Sequence, residues 1–234
     1  ITYRAESERR LRFEATLSEA TGNEAYNALS VGWSSNAREG FFGFGAQYNY
    51  LNLKGRKLPI WCQEQGHGRG LEPLTEVLNA ASPGSAGDWH TSYTCVPYTL
   101  STERYGLVIE NSEYVEFDMT AEAFTRVTVF SPVLKAQLIY GANPLEVVEA
   151  YTEYTGRMEP LPAWTQKGAI VRSHGGSEEA YHTVDELDVA GAALAGLWIE
   201  DWAGVRQTGF GTRMWWNWEI DRTTYPDFEE MISK

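Results

Sequence analysis

The hydrophobic pattern of this chain changes period once, and that change limits what the chain can build. Leu11, Phe13, Ala15 and Leu17 alternate with polar residues, the signature of a half-buried strand. Short runs of the same kind follow at residues 28–32, 98–100, 106–110, 114–119, 124–130 and 133–140. Turn clusters such as Asn111-Ser112-Glu113 and Ser131-Pro132 separate them. Many short strands at intervals of about 8–12 residues predict an antiparallel sandwich or barrel. Within this region, residues 41–70 read as a Gly-rich, aromatic, irregular excursion, and residues 80–88 as a small polar loop.

Beyond residue 142 the period becomes helical. Asn143-Pro144-Leu145-Glu146 is a helix start, with an Asn cap, Pro in the first helical position and Glu three residues after the cap. Leu145, Val148 and Tyr151 follow at helical spacing, Gly156 is a natural stop, and Pro160 and Pro162 stiffen a linker. Residues 168–173 then read as an apolar strand. Ser177 is placed to cap a helix whose first turn carries Glu178 and Glu179, and Tyr181, Val184 and Leu187 form its apolar stripe. After Gly191, residues 193–202 read as a second strand. Strand, helix, strand at this length predicts one βαβ unit with parallel strands. The fold class is therefore α+β and multidomain: a β-sandwich over residues 1–142, a helix and proline linker over 143–162, and a βαβ segment over 163–234.

Charge and composition remove several functions. Against 19 Lys and Arg stand 32 Asp and Glu, a formal charge of −13, and nucleic acid requires a basic face. No apolar run is long enough to span a membrane. Cys62 and Cys95 match no zinc-ligand spacing and read as small buried or half-buried side chains. His67, His90 and His182 show no ligand spacing with His174, so neither a metal nor a cofactor is implied. The aromatic content is high, with nine Trp, thirteen Tyr and nine Phe. Such residues fill a sandwich core or stack on sugar faces. The opening stretch ITYRAESERRLRFEATLSEA contains no apolar signal segment, which tilts localisation toward the cytoplasm without fixing it. It begins inside a strand-like pattern, and the chain ends straight after an aromatic loop, as an excised piece would. Nothing in the residues sets an oligomeric state.

Candidate site residues cluster where the βαβ unit places its strand ends. Glu200 and Asp201 close the second strand, at the carboxyl end where parallel-sheet enzymes do their chemistry. Adjacent strand residues point to opposite faces, so the two do not form an acid–base pair. His174 closes the preceding strand, ahead of Gly175-Gly176. The segment Trp202–Trp218, WAGVRQTGFGTRMWWNW, reads as an irregular loop rich in Trp and Arg. Arginine there offers a planar donor fork to an oxyanion. A purely structural alternative has Arg213 paired with Glu219 or Asp221, holding the loop.

These segments resemble glycoside hydrolase family 31, and within it the sulfoquinovosidases. The likeness rests on GFGAQYNYLNLKGRKLPIWCQEQGHGRG (residues 43–70), LPAWTQKGAIVRSHGGSEE and GLWIEDWAGVRQTGFGTRMWWNWEIDRTTYP. The resemblance implies a galactose-mutarotase-like β-sandwich followed by a (β/α)8 TIM barrel, of which this chain holds only the truncated start. It implies that Arg213 and Trp216 grip a sulfonate, that Asp201 meets a sugar hydroxyl, that Glu200 occupies a Gln/Glu position and that His174 adjoins a Gln/Lys position. Two positions depart from the pattern: His174 is neither Gln nor Lys, and Ala46 stands where Glu is usual. It further implies a retaining mechanism with two Asp residues on later strands, so no catalytic residue is expected in this chain. The substrate implied is an α-sulfoquinovoside, a small-molecule carbohydrate partner. The rival readings are a family-31 α-glucosidase or α-xylosidase for neutral sugars, and a non-catalytic carbohydrate-binding protein.

Overall fold

The computed structural model describes residues 1–17, 26–64, 66, 69–209 and 211–233. The chain divides into two compact units, Ile1–Arg157 and Met158–Lys234. The first contains β1 (Thr2–Ser7), β2 (Arg10–Thr16), β3 (Leu29–Ser34), β4 (Phe41–Gly45), β5 (Lys57–Ile60), α1 (Leu74–Ala81) and β6 (Cys95–Ser101). It continues with β7 (Tyr105–Ile109), β8 (Val115–Asp118), β9 (Phe124–Val129), β10 (Val133–Tyr140) and α2 (Pro144–Thr155). Two antiparallel sheets result, ordered β1-β2-β10-β7-β6-β4 and β3-β9-β8-β5.

Side-chain alternation decides what each face of the larger sheet does. Leu107 and Ile109 of β7 join Phe41, Phe44, Leu58, Phe117, Val127 and Leu134 in a core built from both sheets. Val108, between them, faces the opposite side and meets Ile139, Val147 and Ala150 under α2. Burying each such side chain contributes about 1.5–3 kcal/mol. The α2 start is as the sequence reads: the Asn143 side chain accepts the Glu146 N–H at 3.1 Å, and the Glu146 carboxylate accepts the Ala142 N–H at 3.0 Å. Its apolar stripe is not. Val147, Ala150, Tyr151 and Tyr154 face the sheet, whereas Leu145 is 80% exposed and Val148 also lies open. Both stripes satisfy helical spacing, and contact with the sheet selects one.

Two further expectations are corrected in this unit. The supposedly irregular residues 41–70 contribute β4, paired with β6, and β5, paired with β8, and they bury Phe41, Phe44, Leu53 and Leu58. The polar loop holds over residues 82–88, while residues 80 and 81 instead close α1, which ends at Ala81. In β4 the alternation is broken because Gly43, Phe44 and Gly45 all have positive φ. A Cβ at Gly45 would lie 2.2 Å from the Thr94 carbonyl oxygen, so that close approach requires glycine.

The second unit contains a 3-10 turn at Ala163–Gln166, β11 (Ala169–Ser173), α3 (Ser177–Val189), β12 (Leu194–Ile199), β13 (Val205–Thr208), β14 (Gly211–Met214) and α4 (Phe228–Ser233). β11 and β12 pair in parallel, with Val171 opposite Leu197 and Ser173 opposite Ile199. α3 connects them and packs on both. Ser177 does not cap α3; Gly176 does, at φ 101°, and Ser177 is the first helical residue. The buried α3 residues are Ser177 and Ala180, with Tyr181 and Leu187 half-buried and Val184 on the open side. The segment expected to be irregular contains an antiparallel hairpin, β13 with β14, in which Arg206 faces Arg213.

Candidate functional site

The strand-end residues separate by face. Asp201 is 4% exposed and its carboxylate accepts hydrogen bonds from the Tyr225 hydroxyl and from the Gly175 N–H at 2.9 Å. His174 Nδ1 lies 3.8 Å from Asp201 Oδ2. Glu200 turns away and pairs with Arg172 at 2.7 Å. The alternation that forbids an acid–base pair is therefore what the two side chains obey.

Around Asp201 the loop after β11 is stitched to the segment before α4. Tyr225 is fully buried, and its hydroxyl also accepts the Gly176 N–H at 3.2 Å. Burial and the bond to Asp201 push the Tyr225 phenol well above its ordinary range. The Ser177 N–H donates to the Thr224 carbonyl at 3.2 Å, and the hydroxyls of Ser177 and Tyr181 both reach the Asp227 carboxylate. At Gly176 a Cβ would meet the Thr224 carbonyl oxygen at 2.8 Å and φ is positive, so this entry to α3 needs glycine twice over. A buried carboxylate costs several kcal/mol unless it is hydrogen-bonded, and the Tyr225 hydroxyl and Gly175 N–H supply those bonds.

Arg213 and Trp216 stand elsewhere in the unit. Arg213 is exposed on β14, and Nη1 donates to its neighbour's carbonyl, Thr212 O, at 3.1 Å. Among the described residues no carboxylate pairs with it, unlike Arg172 and Arg222, which hold Glu200 and Glu229. Of the two carboxylates that could have anchored it, Asp221 is held in a local turn, accepting the Thr223 N–H at 3.0 Å and the Thr224 hydroxyl at 2.6 Å. Trp216 is 64% exposed. The base of the hairpin is fixed by Trp215 N–H to Gly204 O at 3.0 Å and Asp221 N–H to Trp202 O at 2.9 Å. Arg206 lies 4.8 Å over the Trp215 ring, which keeps the second hairpin cation engaged.

The structure thus brings His174 and Asp201 together, and among the described residues no hydrogen bond or ion pair joins them to Arg213 or Trp216. Sequence reasoning missed Tyr225 and Gly175 as the groups that hold Asp201. A buried strand-end Asp demands two donors, and the Tyr225-Pro226-Asp227 turn was the available signal. In the first unit Ala46 follows β4, its N–H bonded to Thr94 O at 2.9 Å. The polar side chains of the 41–70 segment are largely spent internally: Arg69 on Asn49 and the carbonyls of Trp89 and Thr91, Gln63 on Gly84, Glu64 on Tyr93. His67 and Gln65 lie outside the described residues. Among the described residues no group of three or more His, Cys, Asp or Glu could hold a metal ion. Among the described residues no helix is long and apolar enough to cross a membrane.

No protein-family model matches the chain. Individual proteins do. Over 212 residues it is 30% identical to a sulfoquinovosidase of Agrobacterium fabrum and 27% identical to that of Escherichia coli, covering 91% of this chain in each case. It spans about a third of the length of those relatives, 32% and 31%. An α-xylosidase of Lactiplantibacillus pentosus is 26% identical over 129 residues, 54% of this chain and 14% of the relative. Among solved structures, a GH31 family sulfoquinovosidase from E. rectale in complex with an aza-sugar inhibitor superposes with a TM-score of 0.88 at 27% identity, over 99% of this chain and 34% of that one. A GH31 α-xylosidase from a soil metagenome shares the fold at TM-score 0.64 and 17% identity, over 90% and 26%. In sequence and in fold together, the chain is similar to about a third of the length of these sulfoquinovosidases, a GH31 family structure among them.

Proposed function

We propose that this chain supplies the sugar- and sulfonate-recognising part of a retaining α-glycoside hydrolase acting on α-sulfoquinovosides. The observation that carries the reading is Arg213: an exposed guanidinium on a pinned hairpin, with no carboxylate partner among the described residues and Trp216 three positions on. A sulfonate keeps its negative charge throughout the working pH range. A chain of net charge −13 repels it until salt screens the field, over about 8 Å at physiological strength. Local positive charge must then do the binding. The Arg213 fork donates to two sulfonate oxygens and the Trp216 indole N–H to the third, while Asp201 and His174 serve the sugar hydroxyls and Glu200 holds Arg172 on the other side of the strand end.

In this reading residues 1–142 are the N-terminal β-sandwich, and 163–234 open a (β/α)8 barrel whose first two strands are β11 and β12. The two catalytic carboxyl groups, about 5–5.5 Å apart in retaining enzymes, belong to later strands. The similarity to α-xylosidases keeps a neutral-sugar activity as the second reading. The test is the full-length protein on p-nitrophenyl α-sulfoquinovoside, α-glucoside and α-xyloside. We expect kcat/KM to favour the sulfoquinovoside at least about 100-fold, the worth of roughly 3 kcal/mol from charged hydrogen bonds. Equal or better turnover of a neutral glycoside overturns the sulfosugar assignment.

A further inference from the structure

The two cysteines, read from sequence as unrelated small side chains, are neighbours in the fold. Cys62 follows β5 of the smaller sheet, and Cys95 opens β6 of the larger one. The Cys95 N–H donates to Cys62 Sγ at 3.3 Å, and the Cys95 thiol donates to Trp61 O at 3.1 Å. A bridge between Cys62 and Ser92, with Gln63 N–H on Ser92 O at 2.9 Å, fixes the backbone that carries the first thiol. Both cysteines are free; Cys62 is exposed and Cys95 half-buried. Both line an open pocket of about 350 Å³ with Trp61, Pro97, Glu113 and Tyr114. No residue of the candidate sugar site takes part.

We propose that Cys62 and Cys95 form a thiol pair that closes reversibly into a disulfide by exchange with a low-molecular-weight disulfide, tying the two sheets of the sandwich together. The exposed Cys62 thiolate attacks one sulfur of the small disulfide, forming a mixed disulfide and expelling one thiolate. Cys95 Sγ then attacks Cys62 Sγ, and the second small thiol leaves. The two cysteines lose two protons and two electrons; the small disulfide gains both and departs as two thiols. Burial, and after it the neighbouring Cys62 sulfur, push the Cys95 thiol up, so its attack on Cys62 speeds up as the pH rises.

The experiment treats the purified 234-residue chain with oxidised glutathione at pH 8, blocks remaining thiols with N-ethylmaleimide and weighs the denatured protein. The expected product has lost two hydrogens, carries no maleimide and no glutathione, and yields a crosslinked Cys62–Cys95 peptide. Dithiothreitol restores two alkylatable thiols. Closing a loop of this length raises Tm by about 5–10 °C. Cys95→Ser stops at a single glutathione adduct, and Cys62→Ser, left with the half-buried thiol, takes up glutathione more slowly and forms no internal disulfide. A wild-type chain that keeps a glutathione adduct, takes up two maleimides, forms interchain dimers or oxidises without a rise in Tm overturns the proposal.

Discussion

The two units hold themselves together by different means. In the first, Phe41, Phe44, Leu58, Phe117, Val127 and Leu134 are wholly shielded from solvent, and strands of both sheets contribute to one hydrocarbon core. In the second, β12 contains no buried residue, Ile170 is 50% exposed and Trp198 63%. Half of the buried side chains there are polar, Ser173, Ser177 and Asp201, beside the Tyr225 ring and two alanines. An antiparallel sandwich completes its core between two sheets, whereas parallel strands rely on cover over both faces. The first unit is a finished packing problem; the second is a polar constellation on a strand pair whose apolar faces are half open. The recognition chemistry proposed above would sit on the second kind of surface.

Separating the units tests this contrast most severely. Residues 1–157 alone should melt cooperatively, and residues 158–234 alone should show no cooperative transition by circular dichroism, since small cores are marginal even when complete. A sharp transition from residues 158–234 breaks the comparison. Within the intact chain, Phe117→Ala should cost about 3–5 kcal/mol, the value for emptying a packed aromatic site, read from the urea midpoint. Tyr225→Phe keeps the ring and removes one hydrogen bond to a buried carboxylate, so about 1.5–3 kcal/mol is expected, with loss of hydrogen-exchange protection at Gly175 and Gly176. If Tyr225→Phe is neutral, the polar stitching is not what holds the second unit. Ile170→Ala, on the half-open face of β11, should cost about 1 kcal/mol or less in the same titration.

How much of this was legible in the sequence follows from the range of each interaction. The strands at residues 106–110 and 133–140 announce themselves by alternation, and the α2 start by its cap, because both signals are local. β4 was invisible because consecutive positive-φ residues break its alternation, and its identity depends on pairing with β6, more than fifty residues on. The true face of α2 was undecidable until a sheet stood beside it. Asp201 was singled out by its place at a strand end, but its partner Tyr225 lies 24 residues away and no period encodes that bond. The hairpin that presents Arg213 was hidden by an aromatic, Gly-punctuated composition that suits loops as well as strands. The cysteine pair is the same lesson at a separation of 33 residues.

The central claim is that Arg213 reads a sulfonate by geometry as well as by charge, and Arg213→Lys in the full-length protein tests it most directly. Lysine retains the positive charge and loses the fork. The account predicts a loss of roughly 2–3 kcal/mol in transition-state binding, about 30- to 150-fold in kcat/KM, on p-nitrophenyl α-sulfoquinovoside, with a much smaller loss on the α-glucoside. An equal loss on both substrates would contradict it, reducing Arg213 to a residue that merely shapes the hairpin.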